Sequence, residues 1–272
     1  TMDNRPIGVF DSGLGGLTAV RELRRILPGE DIIYFGDTGR VPYGTRSKET
    51  ICQYTRQDIA FLLSKKVKFL MAACGTVSST FPSAEACRLP VPFAGVVGAA
   101  ARAAAAATHS GRIGVIGTPA TVRSGSYAGV LEELVPGVEI TAQACPLFVP
   151  LVENGYVEPD NEVTTLVAHQ YLDRVKAAHV DTLIMGCTHY PLLAPIIAKV
   201  MGPGVTLIDP GKETALAVQD ALEALELTSS RTEGGKAEFY VSDTAESFQA
   251  AAQLFLGQYA GGPVEQVPIE KY

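Results

Sequence analysis

Two cysteines occupy matching places in two similar segments of the chain. One segment reads FLMAACGTVSS (Phe69–Ser79) and the other reads TLIMGCTHYPLL (Thr182–Leu193). Each is a short apolar run, typical of a buried strand, that meets a cysteine close to a threonine and continues into a helix-like stretch. The pattern predicts that Cys74 and Cys187 both lie where a strand ends and a helix begins.

A thiol at such a junction can take up or release a proton. Because the N–H groups and dipole of a helix start stabilise a thiolate, we expect the pKa of both thiols to be lowered from the usual value of about 8.5. Thr76 and Thr188 place hydroxyls nearby, and His189 follows Cys187 closely enough to activate it. Inverting a carbon centre needs one group that removes a proton and another that delivers one to the opposite face, and two thiols fit that requirement.

A glycine-rich loop and a proline turn could complete a binding site. The loop DSGLGG (Asp11–Gly16) follows the first apolar run and opens a helix, where the backbone can approach a ligand closely and attract anions. The carboxylate of Asp11 would repel a phosphate, but it could bind an ammonium group or polarise a thiol. The PYG segment (Pro42–Gly44) predicts a turn beside the site, in which Tyr43 could lend its hydroxyl or its N–H.

Three other candidates have an ordinary structural explanation when each is taken alone. Thr118 and Thr121 fall at a predicted helix start, where threonine is a good cap. Glu153 follows an apolar run and is typical of a solvated surface charge.

Short apolar runs alternate with longer helical patterns, which predicts an α/β fold with mostly parallel sheets. The runs are continuously apolar, as expected for strands buried on both faces. The predicted strands are Pro6–Phe10, Asp31–Phe35, Val67–Ala72, Phe93–Val97, Arg112–Ile116, Val138–Gln143, Thr182–Met185, Val205–Ile208 and Glu238–Val241. The predicted helices include Leu17–Leu27, Lys48–Leu63, Ala120–Leu134, Val163–Ala178 and Glu213–Leu225.

The opening strands are echoed as well as the cysteines. The sequence IGVFDSG, which begins at Ile7, is similar to IGVIGTPAT, which begins at Ile113. These echoes predict two related α/β halves, each with one cysteine at the carboxyl end of a strand. Since ligands bind at the carboxyl ends of strands in open α/β sheets, we expect one cleft between the halves with a thiol on each wall.

The composition disfavours several classes of protein. The 272 residues are 47% hydrophobic with a net charge of −7, and no stretch is dense in lysine or arginine, which disfavours nucleic acid as a partner. The longest apolar run is too short to span a membrane, and we expect no signal peptide ahead of the first strand. Five cysteines without a C-x-x-C pair disfavour a disulfide framework or a zinc site. We therefore expect a cytoplasmic protein with a small-molecule substrate, and in it Cys52, Cys87 and Cys145 as buried, inert thiols.

Six segments, in order, resemble the glutamate racemases, cofactor-independent enzymes of the aspartate/glutamate racemase superfamily. The segments are VFDSGLGGLTAVRELRRILPGEDIIYFGDTGRVPYGTRS, MAACGTVSS, GVIGTPATVRSGSY, CPLFVPLVENG, MGCTHYPLL and LIDPG. The resemblance implies two α/β domains related by a pseudo-twofold axis, residues 1–98 plus 210–272 and residues 99–209, with the active site in the cleft between them. It also implies interconversion of L- and D-glutamate without pyridoxal phosphate or metal, a supply of D-glutamate for peptidoglycan, and a homodimer, which is frequent in the family.

The resemblance further implies roles for single residues. Its catalytic cysteines match Cys74 and Cys187, and its supporting acid and base groups match Asp11, Glu153 and His189. Its substrate-binding positions match Asp11, Ser12, Pro42, Tyr43, Gly44, Gly75, Thr76, Thr118, Thr121, Thr188 and His189.

One position departs from the family pattern and leaves alternatives open. The family usually has Cys-Asn-Thr at the first cysteine, whereas Gly75 here offers only its backbone N–H, so a related racemase with altered specificity is one alternative. A non-catalytic binding protein that kept the cleft is another. A nucleotide-dependent oxidoreductase is a third, since the Asp11–Gly16 loop with Asp37 resembles a dinucleotide fingerprint, although Thr18 stands where its third glycine belongs. A decarboxylase that uses one thiol is disfavoured by the second cysteine.

Overall fold

The chain folds into two compact α/β units. The computed structural model describes residues 2–272. The first unit holds the residues up to Val96 together with Thr214–Tyr272, and the second unit is the continuous segment Val97–Glu213.

The first unit is built on a six-stranded sheet in the order β10-β9-β2-β1-β3-β4, with every described pairing parallel. Its strands are β1 (Ile7–Asp11), β2 (Ile32–Gly36), β3 (Phe69–Ala72), β4 (Phe93–Gly95), β9 (Ala237–Val241) and β10 (Val264–Gln266). Strands β1, β2 and β3 are buried along their whole length, which explains their continuously apolar sequences. Helices α1 (Leu17–Ile26), α2 (Lys48–Ser64), α3 (Gly75–Thr80), α4 (Ser83–Ala86) and α12 (Ala245–Leu256) belong to this unit.

The second unit is built on a four-stranded parallel sheet in the order β6-β5-β7-β8. Its strands are β5 (Arg112–Gly117), β6 (Glu139–Ala144), β7 (Thr182–Met185) and β8 (Thr206–Ile208). Its helices are α6 (Pro119–Ser124), α7 (Ser126–Leu134), α8 (Phe148–Glu153), α9 (Glu162–Ala177) and α10 (Ala194–Met201). The chain passes between the units near the starts of α5 (Val96–Ala107) and α11 (Pro210–Ala224).

The two sheets repeat one strand order. The run β2-β1-β3-β4 of the first sheet corresponds to β6-β5-β7-β8 of the second, and β9 and β10 extend the first sheet beyond β2. The predicted α/β class with two related parallel sheets is therefore confirmed.

Two predicted elements differ from the structure, and one strand of the structure was not predicted. The predicted strand Phe93–Val97 ends at Gly95, because the following residues open the alanine-rich helix α5. The predicted helix Ala120–Leu134 is two helices, divided at Gly125, whose φ of +61° is left-handed. Strand β10 was not predicted, since its three residues are half-buried or exposed and carry little periodic signal.

Candidate active site

The register of the two sheets gives the two cysteines equivalent positions. Ile7 of β1 pairs with Phe69 of β3, and Cys74 comes five residues after Phe69. Ile113 of β5 pairs with Thr182 of β7, and Cys187 comes five residues after Thr182. Each thiol therefore follows the carboxyl end of a central strand. It lies at the same distance along the chain from the first paired residue of that strand.

The hydroxyl residues beside the thiols follow the same correspondence. Ser12 comes five residues after Ile7, and Thr118 comes five residues after Ile113. In the first unit the Cys74 Sγ donates to Ser12 Oγ at 3.4 Å. In the second unit Thr118 caps α6: its Oγ1 accepts from the N–H of Thr121 at 3.3 Å. The cap role predicted for Thr118 is thus confirmed, and its substrate contact stays a prediction.

Cys74 is a buried thiol that stays protonated at neutral pH. It is 5% exposed and stands at the N-cap of α3. Burial raises the pKa of Cys74 to about 11, and the nearby carboxylate of Asp11 adds to the rise, whereas the hydrogen bond to Ser12 lowers it by less. The expectation of a lowered pKa is wrong for this thiol, because loss of hydration outweighs the favourable field of the helix start.

Asp11 also holds the glycine-rich loop in place. Its Oδ2 accepts from the N–H of Gly16 at 2.7 Å, and the side chain is 4% exposed. A side chain at Gly16 would put a Cβ 2.6 Å from the Asp11 Cβ, which is closer than such atoms come. Glycine is therefore required at position 16 for the backbone to wrap around the carboxylate.

In the PYG turn the residues on either side of the tyrosine are at least partly exposed, whereas the tyrosine side chain is buried. Pro42 is exposed and Gly44 half-buried, but Tyr43 is 1% exposed and its hydroxyl contacts the carboxylates of Asp37 and Asp58. Of the two groups predicted for Tyr43, the hydroxyl is committed to these two acids, which leaves its backbone for a substrate.

Asp37 does not serve as a ribose-binding acid. Its Oδ2 accepts from Arg40 Nε at 2.8 Å and also contacts the Tyr43 hydroxyl, and its Oδ1 accepts from Ser242 Oγ at 2.6 Å. The side chain is fully buried. The dinucleotide alternative is therefore wrong on this residue, because both carboxylate oxygens are engaged inside the protein.

Cys187 has a histidine and a carboxylate as neighbours. Its Sγ lies 3.9 Å from His189 Nδ1, and His189 Nε2 lies 3.0 Å from Glu153 Oε1. Thr188 Oγ1 lies 3.3 Å from the same Nδ1. Glu153 is exposed, as predicted for a solvated charge, but it is also the partner of His189, a contact that its sequence position does not indicate.

The electrostatics keep His189 charged at neutral pH. Burial acts to lower its pKa, but the hydrogen bonds and charges of Cys187 and Glu153 outweigh that effect and raise the pKa to about 10. The hydrogen bond from His189 lowers the pKa of Glu153 in turn, despite partial burial. The three side chains therefore form a chain from thiol through imidazolium to carboxylate.

The groups behind Cys187 stay neutral. The Tyr190 hydroxyl donates to the backbone oxygen of Cys145 at 3.1 Å. Burial, and then the proximity of Cys187, raise the pKa of the Cys145 thiol to about 12 and hold that of Tyr190 well above its usual value. Cys145 is thus an inert buried thiol, as is Cys52 by its burial, but Cys87 is exposed and its predicted burial is wrong.

The remaining candidates lie near the two thiols along the chain. Gly75 and Thr76 are the half-buried first residues of α3, directly after Cys74.

Within residues 2–272 no three histidine, cysteine or acidic side chains group so that they could hold a metal ion. Nor does any helix in that range have the length and apolar character needed to cross a membrane.

Comparison with known proteins gives the family. The family model for "Asp/Glu/Hydantoin racemase" matches residues 8–218, more than half of the chain. The chain belongs to this racemase family. A glutamate racemase of Geobacter metallireducens is 46% identical over 98% of this chain and 97% of its own, and one of Streptococcus gordonii is 48% identical over 94% and 97%. A crystal structure of glutamate racemase from Francisella tularensis in complex with D-glutamate superposes with a TM-score of 0.89 at 37% identity, covering 99% of this chain and 100% of the other.

Two residues of this family member were not singled out from the sequence. They are Arg40, which contacts Asp37 and Asp58, and Asp58, which also contacts the Tyr43 hydroxyl. A signal for Asp58 was available, since it lies on the buried stripe of α2 that includes Ile51 and Leu62. An ionisable side chain on an apolar stripe indicates buried polar partners, which here are Arg40 and Tyr43.

Proposed function

We propose that this chain is a cofactor-independent glutamate racemase in which Cys74 and Cys187 move a proton between the two faces of the α-carbon. The observation that carries the proposal is the equivalent placement of the two thiols after β3 and β7. The mechanism requires both sulfurs to reach one α-carbon from opposite sides. Their different surroundings support the division of labour that such a reaction needs.

A racemase with two thiols needs one of them deprotonated and the other protonated. Cys74 has its pKa raised to about 11 and donates to Ser12, so it supplies the protonated thiol. His189, with a pKa raised to about 10, is an imidazolium 3.9 Å from Cys187 Sγ. The His189 ring nitrogen lies close enough to exchange a proton with this sulfur, so we assign removal of the α-proton to Cys187.

In each direction of the reaction, one sulfur removes the α-proton and the other sulfur delivers a proton to the opposite face. The Cys187 thiolate takes the α-proton, the C–H electron pair stays on carbon, and the Cys74 thiol delivers its proton to the opposite face. After turnover the two sulfurs have exchanged roles, which suits the reverse reaction. Donors near the thiols, including the hydroxyls of Ser12, Thr76 and Thr188, would stabilise the carbanion-like state through the α-carboxylate.

The substrate, compartment and assembly belong to the same proposal. Relatives at 46% and 48% identity carry the name glutamate racemase, and a similar structure holds D-glutamate, which supports glutamate as substrate. D-glutamate formed this way would feed peptidoglycan synthesis in the cytoplasm. The family resemblance also supports a homodimer, which light scattering of the purified protein tests directly.

The experiment is an isotope-resolved racemisation assay. We expect L-glutamate or D-glutamate in D2O, with chelator and without pyridoxal phosphate or nucleotide, to lose its optical activity. At early times the product enantiomer should carry α-deuterium while the remaining substrate keeps α-protium, because each thiol serves one face. A strict requirement for pyridoxal phosphate, or loss of activity with chelator, would contradict the mechanism. Binding of glutamate without exchange would identify a binding protein instead.

A further inference from the structure

A buried polar cluster lies beneath the PYG turn. We call Asp37, Arg40, Tyr43 and Asp58 the Asp37 cluster. Asp37 and Asp58 are fully buried and Tyr43 is 1% exposed, while the Arg40 side chain is 11% exposed. Arg40 Nε donates to Asp37 at 2.8 Å, and Arg40 Nη2 lies 3.3 Å from Asp58 Oδ1. The cluster thus holds two acids and one guanidinium.

Counting protons in this cluster shows that one acid must be neutral. The Tyr43 hydroxyl lies 2.9 Å from Asp58 Oδ2 and is also in close contact with Asp37 Oδ2. A phenol has one proton and can donate to only one of them. If both acids were ionised, a carboxylate oxygen would face the phenol oxygen with no proton between them, which is repulsive at this burial. The second contact therefore needs a proton on an aspartate.

The contacts identify which acid carries that proton. Asp37 accepts from Arg40 at 2.8 Å and from Ser242 at 2.6 Å, in addition to the Tyr43 hydroxyl. Asp58 has only the longer contact with Arg40 and the contact with Tyr43. Three donors stabilise an anion on Asp37, and the single guanidinium balances that one charge. Burial, and then the charge of Asp37, hold the pKa of Asp58 well above its usual range, which agrees with this assignment.

The turn that the cluster anchors is next to the Cys74 thiol. Tyr43 opens a 3-10 turn, Tyr43–Thr45, that packs against α3, the helix that begins directly after Cys74. Val41 lies beside the glycine-rich loop: a Cβ at Gly13 would stand 3.3 Å from its Cγ1. Movement of the Tyr43 ring would therefore shift backbone that borders the proposed substrate site.

We propose that Asp58 is a neutral carboxylic acid that donates a hydrogen bond to Tyr43, and that Asp37, Arg40 and Asp58 are positioning residues for the PYG turn. The positioning role rests on the proposed racemase function, but the protonation of Asp58 does not. In this arrangement Asp58 donates to Tyr43, Tyr43 donates to Asp37, and Arg40 neutralises Asp37. Both contacts of the Tyr43 hydroxyl then have a proton between the two oxygens.

The test compares the same substitution at the two acids. An asparagine amide can donate to the Tyr43 oxygen as a neutral acid does, so we expect Asp58→Asn to change KM for glutamate by less than threefold. Asp37→Asn removes the only anion beside Arg40 and leaves one oxygen instead of two to accept from Arg40, Tyr43 and Ser242. We expect it to raise KM at least tenfold with a smaller change in kcat, because the cysteines are untouched. Equal KM effects at the two positions would overturn the assignment.

Infrared spectroscopy of the protein without substrate tests the protonation separately. The C=O stretch of a protonated carboxyl group should be present at neutral pD in the wild type and in Tyr43→Phe, and absent from Asp58→Asn. A band that persists in Asp58→Asn, or that is missing from the wild type, would refute a neutral Asp58 whether or not the protein racemises glutamate.

Tyr43→Phe also tests positioning if Asp37→Asn does not fold. It keeps the buried ring and loses only the hydroxyl, so the variant should remain folded and show the rise in KM without a matching fall in kcat. A folded Tyr43→Phe with wild-type KM would show that the cluster serves stability alone.

Discussion

At the scale of single residues, the two thiols differ in their neighbours, and the proposed mechanism gives each of them one face of the substrate. Cys74 and Cys187 occupy equivalent register positions, whereas Cys52 is buried, Cys145 is buried near Cys187 and Cys87 is exposed. We expect Cys74→Ala and Cys187→Ala each to remove nearly all racemisation, because one face of the α-carbon then lacks its proton carrier. Alanine at the other three cysteines should leave the rate nearly unchanged. Similar losses at all five positions would indicate a packing effect.

The charge of Asp11 should control the reactivity of Cys74. Because burial and this carboxylate raise the thiol pKa to about 11, Asp11→Asn should lower that pKa and speed alkylation by iodoacetamide at pH 8. Ser12→Ala should slow alkylation, because the Ser12 hydroxyl can donate to the thiolate and so lowers the thiol pKa, and its removal raises that pKa. Mass spectrometry of the Cys74 peptide in a Cys187→Ala background gives both rates, and a common direction of change would contradict the assignment.

Gly75 offers a test of substrate affinity. It is the half-buried first residue of α3, and it is not among the glycines with positive φ, so a side chain fits its backbone conformation. We expect Gly75→Asn to add a donor and an acceptor beside Cys74 and to lower KM for glutamate by up to roughly tenfold, about 1.4 kcal/mol. The change in kcat should be smaller. An unchanged or raised KM in a variant that melts normally would contradict this role.

At the scale of elements, one glycine divides α6 from α7. Gly125 has φ +61° and an added Cβ there would meet no atom within 4 Å, so Gly125→Ala tests conformation alone. We expect a loss of about 1 kcal/mol of unfolding free energy, since alanine resists the left-handed region. Gly129 is the matched control: it lies within α7 with equal space, so Gly129→Ala should gain about 0.5–1 kcal/mol. Urea unfolding measures the free energy of both variants. A gain in stability for Gly125→Ala as well as for Gly129→Ala would contradict a left-handed backbone at Gly125.

The elements also show where sequence patterns succeed and fail. Buried central strands such as Thr182–Met185 have continuous apolar runs, so the pattern located them well. The apolar pattern persists from β4 into α5, and it therefore could not mark the change at Val96. Gly125 lies inside a helical period, and only its backbone conformation shows that two helices meet there.

At the scale of the whole molecule, a buried lysine ties distant parts of the first unit. Lys68 Nζ donates to the backbone oxygens of Asp3 at 2.6 Å and Leu227 at 2.7 Å, and to Glu30 at 2.5 Å. Lys68→Met should cost about 3–5 kcal/mol of unfolding free energy, because Glu30 is left as an unpaired buried charge. Adding Glu30→Gln should recover part of that loss, since the charge disappears.

The exposed ion pair of Arg56 and Glu85 is the control for this experiment. Its contact of 2.5 Å is as short as that of the buried pair, but the Arg56 side chain is 54% exposed. Arg56→Met should leave the denaturation midpoint unchanged, because water and salt screen such pairs. Equal losses of unfolding free energy for Lys68→Met and Arg56→Met would contradict a role for burial.

The candidate site was only partly predictable from the sequence. The echo of two strand-cysteine segments located Cys74 and Cys187, because local sequence fixes where a strand ends. The Glu153–His189 contact joins residues that are far apart along the chain, and no spacing rule relates them. The raised pKa of Cys74 depends on burial by the finished fold, which the flanking residues do not reveal.

The strand order of the first unit has a consequence for synthesis on the ribosome. Strand β2 pairs with β9, and this pairing joins Ile32 to Ala237, while the second unit is complete once Glu213 has emerged. Until β9 appears, the apolar strand β2 is an open edge of a nascent sheet, and such edges invite mispairing with other chains. Translation arrest before residue 237 should therefore leave a nascent chain that binds chaperones through its first unit. The unit whose residues emerge first is completed last.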